Sequence, residues 1–143
     1  MKNKAYNYNI SELIDLISNK QIKETKFPRK KIYSNQLKQI SRDLDNILKL
    51  KKIKINSKLL RKILFVGFSN LFVWETKDLM LRNKKNYYSL LQKSLEINVI
   101  RNSVTNSLMK DFDEYDLTRE RFTELRKKNI KWVSNISDYI SKN

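Results

Sequence analysis

Neither cysteine nor histidine occurs in this chain. Their absence excludes disulfides, thiol nucleophiles, Cys/His zinc sites and every histidine-based triad or proton shuttle. Any metal would have to rest on carboxylates alone. Glycine and proline occur once each, as Gly67 and Pro28. So few breakers allow few tight turns and favour long helices. Long apolar runs are missing too. The most apolar stretch, Ile63 to Trp74, is interrupted by Gly67, Ser69 and Asn70. It is too short to cross a bilayer and reads as a buried core helix. The first nine residues hold no apolar h-region, so a signal peptide is not expected and a cytoplasmic location is.

Acids are scarce where bases are dense. The chain has 31 Lys and Arg against 15 Asp and Glu, for a net charge of +16. Fifteen of those bases fall between Lys20 and Lys62, with only Glu24, Asp43 and Asp45 among them, so this segment alone carries +12. A charge concentrated in this way needs a polyanion or counterions. At 143 residues and 40% hydrophobic composition, the chain suits one folded domain rather than a disordered basic tail.

The apolar spacing is helical throughout. Helix 1 is expected over residues 10–19, with Asn9 as cap and Glu12 completing a capping box. Residues 20–33, which contain Pro28, read as an exposed basic loop. Helix 2 is expected after Ser34, with Leu37, Ile40, Leu44, Ile47 and Leu48 as its core stripe. Residues 51–56 read as a linker. Helix 3 is expected from the cap Ser57 to Arg82, apolar nearly all round and therefore central. Helix 4 should span residues 87–112, with one stripe of Tyr88, Leu91 and Leu95 and another of Ile97, Ile100, Val104 and Leu108. Helix 5 is expected over residues 118–140. The predicted fold is an all-α single domain, residues 1–143, of about five helices.

Two groups of residues carry the functional reading. The first is basic: Lys23, Lys26, Arg29, Lys30 and Lys31, then Lys51, Lys52, Lys54, Lys58, Arg61 and Lys62. Closely spaced phosphates reward such clusters through counterion release, and Phe27 and Tyr33 lie near enough to stack on an unpaired base. The second is a polar layer on helices 3 and 4: Asn70, Trp74, Asp78, Asn98, Arg101 and Asn102. If these helices form an antiparallel hairpin, residue numbers at equal height sum to about 169, and Asn70 lies level with residues 98–102. Buried amides need partners, so the layer is expected to fix helix register.

Asn70-Leu-Phe-Val-Trp74-Glu75-Thr-Lys-Asp78, followed by Ile97-Asn98-Val-Ile-Arg101-Asn102, resembles the helical family called domain of unknown function 4254. The family's pattern has His and Glu where this chain has Glu75 and Lys77. The resemblance implies an accessory or scaffolding component of surface-polysaccharide assembly. Glu75 and Asp78 stand at i and i+3 without an activating partner, a phosphate loop or a nucleophile elbow, so no enzyme and no cofactor are expected. The leading expectation is a non-enzymatic protein that binds RNA or another single strand through residues 20–62. Attachment of the same segment to an anionic membrane surface is the other use of such charge.

Overall fold

The computed structural model describes residues 8–123, which are all-helical apart from turns and irregular segments. Four α-helices occur among them: α1 (Ile10–Lys26), α2 (Lys31–Leu50), α3 (Ser57–Arg82) and α4 (Tyr87–Asp111), with a 3-10 turn at Lys84–Asn86 before α4. The chain divides at Lys54–Ile55 into two compact units. In the first, α1 packs on α2; in the second, α3 packs on α4.

The capping box forms at α1. Glu12 N donates to Asn9 Oδ1 at 2.8 Å, and Asn9 N donates to Glu12 Oε2 at 2.9 Å. The helix then runs seven residues past the expected end at Asn19. Residues 20–26 contain no Gly or Pro to stop it, and Lys23 and Lys26 in its last turn suit the negative end of the helix dipole. It stops at Phe27, the residue before Pro28, whose φ of −129° and ψ of 61° are not helical. The expected basic loop is therefore a short turn, and α2 begins four residues earlier than expected, at Lys31. Ile10, Leu13 and Ile14 are buried, whereas no residue of α2 is fully buried; its stripe of Leu37, Ile40, Leu44, Ile47 and Leu48 is half-buried.

α2 ends in a Schellman motif. Ile53 N donates to Leu48 O, Lys52 N donates to Lys49 O, and Lys52 has a φ of 53°. This arrangement usually places glycine in the left-handed position. In this chain the one glycine lies inside α3. The same motif ends α4: Glu114 N donates to Met109 O, Asp113 N donates to Lys110 O, and Asp113 has a φ of 55°.

α3 is capped by Asn56, one residue before the expected Ser57; Asn56 Oδ1 accepts from Leu59 N at 2.9 Å. It buries Leu59, Phe65, Val66 and Val73 on one side. Leu60, Leu64, Phe68 and Leu71 are 43–63% exposed, so α3 is not buried all round as its composition suggests. In α4 the stripe of Ile97, Ile100, Val104 and Leu108 is buried, while Tyr88 and Leu95 of the earlier stripe are exposed. Buried hydroxyls on both helices bond back to their own backbone: Ser69 to Phe65 O, Ser103 to Val99 O and Thr105 to Arg101 O.

Beyond Asp113 the chain turns back along α4. Asn106 holds Arg121 on both sides: its Nδ2 donates to Arg121 O at 2.9 Å, and its Oδ1 accepts from Arg121 N at 2.8 Å. One turn earlier on α4, Asn102 Nδ2 donates to Phe122 O at 2.8 Å. The two side-chain amides satisfy backbone groups that a strand would otherwise pair. Residues 118–123 are therefore turn and irregular chain, not the expected start of helix 5. The remainder of that expected helix, residues 124–140, lies outside the described residues.

Candidate nucleic-acid interface

The first basic cluster gathers at the turn between α1 and α2. Lys23 and Lys26 occupy the last turn of α1 and are half-buried; Arg29 and Lys30 lie in the turn, and Lys31 opens α2, all three exposed. The turn is closed by Lys30 N donating to Phe27 O at 2.9 Å and Tyr33 N donating to Lys30 O at 3.1 Å. This brings the rings of Phe27 and Tyr33 to 6.2 Å between centroids, inclined at 46°. Lys23 Nζ stands 5.8 Å from the Tyr33 ring centroid and Lys30 Nζ 5.1 Å from that of Phe27. Each such contact contributes about 0.5–1 kcal/mol at an exposed site. Phe27 is 39% exposed. Two aromatic rings ringed by cations thus stand at the tip of the α1–α2 hairpin.

The second basic group has mixed environments. Lys51, Lys52 and Lys54 are exposed after α2, and Lys58 and Arg61 are exposed on the first turns of α3. Lys62 is not exposed like its neighbours Lys58 and Arg61. It is 4% exposed, donates to Ser107 Oγ at 2.6 Å and pairs with the Asp111 carboxylate. The antiparallel packing of α3 on α4 brings this acid across from it. Lys62 therefore serves the interior of the α3–α4 hairpin and is withdrawn from any phosphate-binding role.

Three further cations stand on α2 between the two groups: Lys38, Arg42 and Lys49, all exposed. In the sequence they are isolated, not clustered, and do not stand out as a group. Their spacing from Lys31 was the available signal, since steps of seven, four and seven residues return to one helix face.

The polar layer forms around Arg101. Arg101 Nη1 donates to Asn70 Oδ1 at 2.6 Å, with Asn70 buried and Arg101 half-buried. Asn70 thus meets an arginine instead of another amide. Asn102 turns away from this pair to hold Phe122. Asn98 is half-buried, and its Oδ1 is enclosed without a hydrogen-bond partner among the described residues. Trp74 is half-buried. Asp78 is also half-buried and stands apart from the Asn70–Arg101 pair.

After α4, the Asp116 carboxylate accepts from Thr118 N at 2.8 Å, from Thr118 Oγ1 and from Arg119 N at 3.1 Å. These bonds, the Thr118 hydroxyl foremost, hold its pKa below the ordinary aspartate value. Tyr115 is shifted upward, first by desolvation and then by its hydrogen bond to Glu120 and that group's charge.

Among the described residues, no helix is long and apolar enough to cross a membrane. No family model, curated protein or solved structure matches this chain.

Proposed function

We propose that this protein binds RNA or another single-stranded nucleic acid without catalysing a reaction, using Lys23, Lys26, Arg29, Lys30, Lys31, Lys51, Lys52 and Lys54 of the first unit, with Lys58 and Arg61 of the second unit as phosphate contacts in their own right. The observation that carries this reading is the tip of the α1–α2 hairpin. Phe27 and Tyr33 stand together there, with Lys23 and Lys30 against their rings and Arg29 beside them. Cations alone suit any polyanion. Cations interleaved with aromatic rings suit one whose phosphates alternate with unpaired bases, because every base has a face on which a ring stacks. Phosphate contacts then supply most of the affinity, and stacking favours single strands over duplexes with little preference among sequences.

The test is fluorescence anisotropy of a labelled oligouridine titrated with the protein. Binding should weaken steeply with salt, and Phe27→Ala should weaken it by roughly 1–3 kcal/mol if a base stacks there. Equal affinity for single strand and duplex, or an unchanged affinity in Phe27→Ala, would remove the stacking reading.

A second reading follows from the resemblance over α3 and α4, that of a helical accessory or scaffolding protein of surface-polysaccharide assembly. The hydrogen bond between Asn70 and Arg101 favours it, because it joins the two halves of the resembling pattern across the hairpin. Failure of the purified protein to retain or bind any oligonucleotide would promote this reading.

A further inference from the structure

We infer that the outward face of α2 is a rail for the phosphates of a single strand, running from the hairpin tip to the end of the helix. The inference rests on the nucleic-acid reading and adds a path and a length to it. Lys31, Lys38, Arg42 and Lys49 are all exposed. At 100° per residue they lie within about 20° of one line along the helix. No side chain of the four makes a hydrogen bond or ion pair among the described residues. The apolar stripe of Leu37, Ile40, Leu44 and Ile47 centres on the opposite side of the helix, where it is half-buried. The residues beside the rail are Asn35, Asn46 and Asp45, and Asp45 is the one acid on this face. The other acid of α2, Asp43, lies off the rail and accepts a hydrogen bond from Gln39 at 3.2 Å.

The distances select the occupant. Eighteen residues separate Lys31 from Lys49, so the rail is about 27 Å long. One end meets Phe27, Arg29 and Lys30; the other meets Lys51 and Lys52. At the axial spacing of a duplex strand, about 3.4 Å per phosphate, the rail would hold roughly eight phosphates, and a straighter single strand, whose phosphates stand farther apart, places fewer. Over that length a duplex strand winds most of one turn around its axis, given about 34–36 Å per turn, and leaves a straight line of cations. A single strand can follow the line. Helices that lie on membranes present a continuous apolar face beside the basic one; the exposed large apolar residues of α2 are Ile32 and Leu50, one at each end of the helix, with none between them.

The experiment uses the full chain, with anisotropy of labelled oligouridines of about four, eight and sixteen nucleotides. Three variants are compared with the parent: the triple Lys38→Gln, Arg42→Gln, Lys49→Gln; the charge-keeping triple Lys38→Arg, Arg42→Lys, Lys49→Arg; and a control triple Lys77→Gln, Lys84→Gln, Lys85→Gln at exposed positions in the second unit. The parent should gain affinity from four to eight nucleotides and little beyond. The first triple should lose that gain. Its log–log salt slope should fall by about 2, so its affinity loss between 50 and 200 mM salt shrinks about 16-fold. The charge-keeping and control triples should retain the parent's length dependence. Retention of binding by the charge-keeping triple shows that the loss follows charge, and an unchanged circular dichroism melt of the Gln triple excludes misfolding as its cause. If the parent binds but the first triple behaves like the control, the rail is wrong and the nucleic-acid reading stands. Tighter binding to phosphatidylserine vesicles than to oligouridine, lost in the same triple, would replace the rail by a membrane surface. If the parent binds no oligouridine, both readings fall.

Discussion

Lys62 and Asp111 provide an unequal pair of mutations. Lys62 is 4% exposed, whereas the Asp111 side chain is 24% exposed at the end of α4. Removing either charge breaks the ion pair, but the charges left behind differ. In Asp111→Asn the ammonium stays buried, with Ser107 Oγ as its remaining close partner. Stranding a buried charge costs about 3–5 kcal/mol. In Lys62→Met the interior position becomes apolar, and the stranded carboxylate reaches water. That change should cost about 1–2 kcal/mol, chiefly for the hydrogen bonds lost by Ser107 and Asp111. The double variant Lys62→Met, Asp111→Asn should be more stable than Asp111→Asn alone, because it no longer strands the ammonium. Urea unfolding followed by circular dichroism measures all three against the parent, with the slope of the transition checking that the unfolded state is unchanged. Lys62→Met costing as much as Asp111→Asn, or a double variant no better than Asp111→Asn, would show that the ammonium reaches solvent and would refute the reasoning.

Lys52→Gly should raise thermal stability, because an L-residue in the left-handed region costs roughly 1–2 kcal/mol that glycine avoids; a fall in Tm would mean that the Lys52 side chain makes a compensating contact. Asn106→Ala should cost about 1–3 kcal/mol and accelerate amide exchange at Arg121, whose N–H loses its acceptor; an unchanged exchange rate would place that amide on another partner. Asp116 has a lowered folded pKa, so its contribution to stability is complete above the ordinary aspartate value and fades as pH falls through its own lowered value. Thr118→Ala should move the Asp116 carboxyl titration, followed by NMR, back toward the ordinary value.

What the sequence made legible follows from the range of the interactions involved. Asn9 and Glu12 lie within one helical turn, so their capping box could be read directly. The continuation of α1 through residues 20–26 carries no regular apolar stripe and so leaves no periodic signal, but a helix also continues wherever nothing stops it. Lys62 sits in a run of bases and looks like its neighbours; its partner Asp111 is 49 residues away, and only the packing of α3 on α4 sorts it from Arg61. The reversal after α4 was illegible for a different reason. Its left-handed residue is Asp113, not the glycine that usually marks such a point, and its hold on the returning chain comes from amides at Asn102 and Asn106. By its spacing alone Asn102 reads as part of a polar layer between helices, not as a hold on the returning chain. Among the site residues, the tip cluster is contiguous in sequence and could be seen, while Lys38, Arg42 and Lys49 emerge only once α2 has a defined face.

The central claim is that a localised basic surface with aromatic rings binds single-stranded nucleic acid. Its most direct measurement is the salt dependence of oligouridine binding by the parent and by the triple Arg29→Gln, Lys30→Gln, Lys31→Gln at the hairpin tip. The account predicts saturable binding near physiological salt and a log–log slope lower by about 2 in the tip variant. No binding by the parent at that salt, or the same loss from the triple Lys77→Gln, Lys84→Gln, Lys85→Gln, would contradict it.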